Sequence, residues 1–267
     1  FRTGTDTEVV LAAWARWGPA CLDRLVGMFA VLVWDAHQQV LHGARDRFGV
    51  KPLHHHRTAD GGVVVASEVA ALLAAGVDAT PDEARWSAYL ASGDQDGGLA
   101  TFWSGIAAVG AGERVEWHLG GHTRTVRWYD LVERVGPELD DRPDPVVDEE
   151  VAGLLGEVVS LRFRSDVPVG VALSGGLDSS TLLGLLDDLP GTPPRAAAFT
   201  FTTGHPAYDE DDQVVGLLAG GAHELHLCRL DWQDVPELAA DVHAHLRQPY
   251  GGVPTLAYAR LFEQARA

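Results

Sequence analysis

The fold of this chain is decided by the stretch VGVALSGGLDSS, which spans residues 169–180. A short apolar strand leads into a turn of small residues, and a helix with leucines at helical spacing follows directly. Such a turn leaves backbone N–H groups unpaired at the positive end of a helix dipole, which favours an anion. Gly175 and Gly176 carry no Cβ, so the backbone can approach a ligand closely. The stretch therefore predicts a phosphate site.

The side chains of this loop favour the same ligand. Ser174, Ser179 and Ser180 supply hydroxyl groups, and Asp178 supplies a carboxylate that can hold a divalent cation bound to phosphate. The loop is not a Walker A motif, because that motif requires a lysine and Lys51 is the only lysine in the chain.

Two other interpretations of the loop remain open at this point. In a hydrolase, Ser174 would be the nucleophile on a strand-to-helix elbow, with Asp209 and His223 as the partners downstream. That interpretation leaves the Asp-Ser-Ser segment at 178–180 without a role. Alternatively, the loop is a glycine-rich connection that binds nothing.

Composition limits the classes of protein that fit. The 267 residues are enough for one large domain or two ordinary ones, and the net charge of −18 disfavours binding to nucleic acid or to an anionic membrane. The longest apolar stretch, Met28 to Trp34, is too short to span a bilayer. Cys21 and Cys228 lie far apart in the chain and are predicted to be buried thiols of a reducing, cytoplasmic protein. Because the chain begins with Phe1, we expect a segment upstream of it.

The first half of the chain is predicted to be a mixed α+β unit. Thr5 and Glu8 fit a capping box at the start of a helix. Strand-like runs follow at 28–34, 40–44 and 63–66, with a hairpin loop between the first two, so we expect a largely antiparallel sheet.

The second half has the alternation of an α/β unit. A polar segment at 135–144 marks the predicted domain boundary, and Asp144 is predicted to cap the next helix. Strands at 169–173, 196–202 and 224–230 then alternate with helices, which predicts a parallel sheet with right-handed crossovers. A ligand of such a sheet is expected at the carboxyl ends of its strands.

These motifs together resemble those of the glutamine-hydrolysing asparagine synthetases. The segments SDVPVG (165–170) and SGGLDSS (174–180) look like the pyrophosphate loop of that family and its approach. Other matching segments occur in the family's order: RTGTDTE (2–8), GMFA (27–30), RDRFGVKPL (45–53), ASE (66–68), YDE (208–210) and QPYGG (248–252). The resemblance covers nearly the whole chain.

The resemblance implies a fold for each half. Residues 1–134 resemble part of a class II (Ntn-type, N-terminal nucleophile) glutamine amidotransferase domain of the α+β class, together with its β-rich connection. Residues 144–267 resemble part of the ATP-binding synthetase domain, an α/β PP-loop domain of the Rossmann-like adenine-nucleotide α-hydrolase type. On this resemblance the chain is an internal fragment.

The resemblance also implies ATP-dependent amide formation. In the family, the carboxylate of aspartate attacks the α-phosphate of ATP to give β-aspartyl-AMP, and ammonia from glutamine then displaces AMP. The implied cofactors are ATP and Mg²⁺, the small-molecule partners are glutamine and aspartate (or another carboxylate), and a homodimer is compatible with the family.

By motif position, the residues at the pyrophosphate of ATP would be Ser174, Gly175, Gly176, Asp178, Ser179 and Ser180. Leu173 and Phe201 would contact the adenosine part, Phe201 being otherwise a core aromatic, and Asp178 would bind Mg²⁺.

Three further features of the first half receive an interpretation. Asp6 matches the carboxylate that binds the α-ammonium group of glutamine in the family, and it can also act as a helix N-cap. The Arg45-Asp46 and Lys51-Pro52 pairs are interpreted as a structural turn with paired charges. His54 to His56 are adjacent on an extended segment and cannot converge on one metal ion.

The chain departs from the family at both ends. The family's glutaminase nucleophile is an N-terminal cysteine, whereas residue 1 is Phe and Cys21 lies in a predicted helix, so no catalytic residue is identified. The chain stops at Ala267, before the family's later Ser-Gly-Glu and Asp-Glu segments. We therefore expect this polypeptide alone to turn over neither glutamine nor aspartate. The alternatives are a related adenylating amide-forming ligase, of the β-lactam synthetase or lasso-peptide cyclase type, and a degenerate nucleotide-binding regulatory module.

Overall fold

A computed structural model describes residues 1–189 and 196–266 of the chain. It divides into two compact units, and each is described by itself. Unit 1 comprises Phe1–Glu138 with His245–Pro249, and unit 2 comprises Leu139–Ala244 with Tyr250–Ala267.

Unit 1 is built from short helices and antiparallel strands. Its elements are α1 (Asp6–Trp17), a 3₁₀ helix (Gly18–Arg24), β1 (Ala30–Asp35), β2 (Val40–Arg45), β3 (His54–Arg57), β4 (Val63–Ala66), α2 (Val69–Ala74), α3 (Glu83–Ser92), β5 (Ile106–Ala108), β6 (Glu113–His118), β7 (Thr123–Arg127) and α4 (Leu131–Val135). The strands form one sheet of order β1-β2-β6-β7 and another of order β4-β3-β5, with every pairing antiparallel. The predicted antiparallel α+β unit is confirmed.

A tight core holds the larger sheet of unit 1 together. Gly43 of β2 lies opposite Val115 of β6, and a Cβ at Gly43 would come within 2.5 Å of the Trp117 ring. Trp117 is 2% exposed and packs with Leu53 and Val115. The absence of a side chain at Gly43 therefore lets the indole lie directly on the strand.

Two helix starts differ from the prediction. Thr5 is the N-cap residue of α1, but its side chain makes no capping bond, and the Glu8 carboxylate accepts from the backbone N–H groups of Arg2 and Thr3 at 2.7 Å each. The predicted capping box is therefore wrong, because the residues before the helix fold back onto Glu8. Asp144 is the first residue of its helix rather than the cap, which is Pro143.

The charged turn at 45–53 is structural, but its charges are not paired with each other. The buried Asp46 carboxylate accepts from the N–H groups of Phe29, Phe48, Val50 and Lys51 at 3.0–3.2 Å. Burial raises the pKa of Asp46, but these backbone N–H groups outweigh it and hold the pKa below its ordinary value. The neighbouring Arg45 guanidinium donates instead to backbone carbonyls. Both charges thus fix the path of the backbone.

Unit 2 is an α/β unit. Its elements are α5 (Asp144–Arg162), β8 (Gly170–Ala172), α6 (Leu177–Asp187), β9 (Ala197–Thr202), α7 (Asp211–Leu218), β10 (Glu224–Arg229), α8 (Val235–Leu246) and α9 (Val253–Arg266). The strands form a parallel sheet of order β10-β9-β8, as predicted. Because parallel strands share one carboxyl edge, the ends of β8 and β9 lie next to each other.

Apolar side chains of the helices are buried against this sheet. Leu183 and Leu186 of α6 pack with Ala198 of β9 and Val214 of α7 in one core cluster. Each buried leucine of this kind stabilises the fold by about 1.5–3 kcal/mol. The packing fixes α6 and α7 against the strand ends from which the candidate site is built.

Candidate functional site

The loop after β8 folds back on the first turn of α6. The N–H of Ser174 donates to the Ser179 hydroxyl at 3.1 Å, and that hydroxyl donates to the Ser174 carbonyl at 2.8 Å. The two serine hydroxyls are 2.9 Å apart. Leu173 extends the sheet pairing through a 2.8 Å bond from its N–H to the Phe199 carbonyl. These bonds fix the shape of the loop.

The start of α6 offers donors to this loop. The N–H groups of Leu177, Asp178 and Ser179 lie in the first turn of the helix, where no carbonyl one turn earlier can accept from them. The N-cap residue, Gly176, has no side chain that could accept instead. The Ser180 hydroxyl donates to the Gly176 carbonyl at 2.8 Å and is thereby directed back along the helix. Asp178 is exposed, and its carboxylate has no hydrogen bond or ion pair with any other residue that the structure describes.

The start of α7 lies against the other side of the loop. The N–H of Gly175 donates to the Glu210 carboxylate at 3.0 Å. A Cβ at Gly175 would come within 2.0 Å of the Gln213 Oε1 and 3.0 Å of the Gln213 Cβ. A larger residue at 175 would therefore require the Gln213 side chain of α7 to move. The sequence analysis did not include Glu210 in the site, although it belongs to the Tyr-Asp-Glu segment noted there.

Asp209 holds the turn between β9 and α7. Its carboxylate accepts from the Thr202 hydroxyl at 2.9 Å, the Thr203 N–H at 2.7 Å and the Thr203 hydroxyl at 2.8 Å. Burial raises the pKa of Asp209, but these donors together outweigh it and lower the pKa to about 2. The turn that positions Glu210 is therefore anchored to the end of β9.

These elements enclose a cavity of about 390 Å³. It brings together five of the residues predicted for the nucleotide site: Leu173, Ser174, Asp178, Ser179 and Phe201. Gly175, Gly176 and Ser180 lie in the same loop but do not line the cavity. The rest of the lining was not predicted. It comes from Ala172, Phe199 and Thr200 of the strands, Tyr208 and Glu210 of the β9–α7 turn, and Pro254, Tyr258 and Leu261 of α9. No local motif in α9 pointed to the cavity, because its contribution depends on tertiary packing.

A second, apolar cavity lies next to the first. Its volume is about 760 Å³, and it shares Phe201, Tyr208 and Pro254 with the smaller cavity. Phe201 also packs against the buried residues around Leu230. It is therefore both a core aromatic and a residue of the site.

The hydrolase interpretation of Ser174 is wrong. His223 Nε2 lies 2.8 Å from the Asp187 carboxylate, and its Nδ1 accepts from the Ala196 N–H at 3.2 Å. Asp209 is engaged by the threonines of β9. Ser174 pairs with Ser179 rather than with a histidine, so no triad is assembled.

The remaining candidates lie outside this cavity. Asp6 is the exposed first residue of α1 in unit 1. His54 and His56 each bond a backbone carbonyl, whereas His55 packs on Trp117, so the three rings diverge as predicted. Among residues 1–189 and 196–266, no cluster of three metal-ligating side chains is found. Cys21 and Cys228 are both buried thiols, as predicted, and burial raises the pKa of each.

Comparison with protein families assigns both halves of the chain. Residues 1–129 match the family model described as glutamine amidotransferase domain, and residues 150–267 match the model described as asparagine synthase. Within the described ranges, no helix combines the length and the apolar character needed to cross a membrane.

Curated relatives agree with this assignment. Asparagine synthetase [glutamine-hydrolyzing] 1 of Bacillus subtilis is 34% identical over 183 residues, which cover 68% of this chain and 28% of the relative. A putative asparagine synthetase of Methanocaldococcus jannaschii is 28% identical over 261 residues, 95% of this chain and 49% of the relative. The amidase chyE of Penicillium rubens is 32% identical over 187 residues, 69% of this chain and 27% of the relative. The chain thus spans between a quarter and a half of the length of these proteins.

The two domain matches in this order define a glutamine amidotransferase joined to a synthetase domain. The chain belongs to the asparagine synthetase family.

Proposed function

We propose that unit 2 carries part of the ATP site of a glutamine-dependent carbon–nitrogen ligase. In this proposal residues 144–267 are part of a PP-loop domain and residues 1–134 are part of a class II amidotransferase domain. The protein would form asparagine from aspartate, ATP and glutamine through β-aspartyl-AMP, releasing AMP and pyrophosphate. The observation that carries the proposal is the 174–180 loop, whose donors lie at the carboxyl edge of a parallel sheet beside a cavity.

The pyrophosphate part of ATP is assigned to the loop. The negative charge of the pyrophosphate suits the positive end of the α6 dipole and the N–H groups of the first helical turn. Ser174 and Ser179 line the cavity beside this turn. Gly175, Gly176 and Ser180 shape the backbone around them. Donors that are already in position stabilise the charge that develops on a leaving pyrophosphate.

Asp178 is assigned as the protein ligand for Mg²⁺. The residue fits this role because a carboxylate is the ligand type that Mg²⁺ prefers, and because Asp178 lines the cavity without an ion-pair partner among the described residues. A bound Mg²⁺ would neutralise charge on the phosphates.

The adenosine part is assigned to the region of Leu173 and Phe201. Both residues line the cavity, and Phe201 also lines the adjoining apolar cavity, where an aromatic surface suits a purine base. In unit 1, Asp6 is assigned to the α-ammonium group of glutamine because an exposed carboxylate can pair with that cation. Cytoplasmic location and a homodimer complete the proposal.

Exchange of labelled pyrophosphate into ATP by the full-length protein tests the function. We expect exchange that requires both Mg²⁺ and aspartate, because adenylation is reversible before ammonia arrives. Exchange that depends on another carboxylate would instead favour the related ligases, of the β-lactam synthetase or lasso-peptide cyclase type. Binding of ATP without exchange would favour a regulatory module, and a protein that binds no ATP would contradict the proposal.

A further inference from the structure

Glu210 occupies the donor that the phosphate loop would offer to a nucleotide. Its carboxylate accepts the Gly175 N–H at 3.0 Å, across 35 positions of sequence. It also lines the same cavity as Ser174, Asp178 and Ser179. One backbone N–H cannot donate a full hydrogen bond to two anions at once. A phosphate bound at the Gly175 N–H would also be repelled by the negative charge of the Glu210 carboxylate.

The backbone that carries the Glu210 carboxylate is held in place by the structure around it. Asp209 anchors the turn through Thr202 and Thr203, so the backbone of Glu210 is fixed next to the loop. Gln213 of the following helix packs closely on Gly175, so a Cβ there would require the Gln213 side chain to move. The Glu210 side chain itself is exposed, so it can rotate away into solvent without unfolding the turn.

We propose that Glu210 is a specificity-determining residue of the ATP site, one that selects metal-complexed over metal-free triphosphate. The inference rests on the proposed function. A free triphosphate must displace the Glu210 carboxylate from Gly175 and also meets the repulsion of Asp178 and Glu210. A magnesium-complexed triphosphate carries less charge and meets less repulsion.

The test compares the full chain with its Glu210→Gln and Glu210→Ala variants. Dissociation constants for ATP and for inorganic pyrophosphate are measured by calorimetry, with Mg²⁺ and with EDTA. We expect both variants to bind metal-free ATP about tenfold more tightly, and Mg²⁺-ATP only about two- to threefold more tightly, because one repelling charge is removed. Glu237→Gln removes an equal charge from the first turn of α8, outside the cavity, and is expected to change neither constant.

A second readout reports the contact directly. The amide proton of Gly175 is expected to move upfield in Glu210→Ala without ligand, since its charged acceptor is lost. Equal affinities in all variants, or weaker Mg²⁺-ATP binding by Glu210→Gln, would overturn the role of Glu210 and leave the ATP site in place. If neither the parent nor any variant binds ATP or pyrophosphate, both the proposed function and this inference fail.

Discussion

At the scale of single residues, the candidate site depends on small side chains at positions where larger ones would collide. Gly175 lies under Gln213, and the Ser174 and Ser179 hydroxyls close the loop on the first turn of α6. The Gly175–Gln213 contact joins segments that are distant in sequence, whereas the contact between the two serines is local. The motif predicted which residues form the loop, but the close packing of Gln213 on Gly175 became visible only with α7 in place.

Gly175→Ala is expected to weaken ATP binding about tenfold, because the added Cβ must push Gln213 and the loop apart at a cost of about 1–2 kcal/mol. The double variant Gly175→Ala/Gln213→Ala removes the colliding amide and should recover most of the affinity. Gly184→Ala on α6, where a Cβ meets nothing within 4 Å, is the matched control. Calorimetry measures all three, and unchanged affinity in Gly175→Ala would contradict the assigned role of the loop.

Asp178→Asn is expected to abolish the effect of Mg²⁺ on nucleotide affinity while leaving thermal stability unchanged. The side chain is exposed and has no partner among the described residues, so its removal disturbs no packing. Asp188→Asn, at the other end of α6, serves as the control. Binding measured across a Mg²⁺ series decides the matter: a variant that still responds to Mg²⁺ like the parent is incompatible with a ligand at 178.

At the scale of elements, the sequence predicted those with strong periodicity and missed those decided by packing. The parallel strands were predicted from their apolar runs, and α6 was predicted from leucines at helical spacing. The segment of β3 was treated as extended but was not among the predicted strands of the sheet, because His54, His55, His56 and Arg57 carry no apolar alternation. Helix α3 was missed although Asp82 caps it through a 2.9 Å bond to the Arg85 N–H. Glu210 was missed as a site residue because its partner lies on another element.

The turn between β9 and α7 is expected to lose its anchor in acid. Because the folded-state pKa of Asp209 is lowered to about 2 from an ordinary 3.8, its stabilisation is fully present above about pH 4. It is lost as the pH falls through about 2. The ¹³C resonance of the Asp209 carboxyl, followed against pH, measures this directly. Titration at the ordinary value would show that the threonine bonds do not form in solution.

The 45–53 turn makes a corresponding prediction for the stability of unit 1. Asp46→Asn places amide hydrogens among backbone donors and is expected to cost about 2–3 kcal/mol, since buried N–H groups lose their charged acceptor. Asp78→Asn changes an exposed carboxylate of the same unit and should cost nothing measurable. Denaturant unfolding gives both values. Equal stability of the two variants would contradict the structural role of Asp46.

At the scale of the whole molecule, two units of different class follow one another in the chain. Unit 1 is antiparallel α+β and matches an amidotransferase domain, whereas unit 2 is parallel α/β and matches a synthetase domain. The net charge of −18 makes any anion site depend on local donors and a metal ion. The 174–180 loop is the place where such donors are concentrated.

The most direct test of the central claim is an amide NMR titration of the full chain with Mg²⁺-ATP and, separately, with pyrophosphate. We predict that both ligands shift the amides of residues 174–180, and that only ATP also shifts those around Phe201. Saturable shifts at these positions would support a pyrophosphate loop with an adenosine site beside it. If ATP binds elsewhere and leaves the amides of 174–180 unmoved, the account of this site is contradicted.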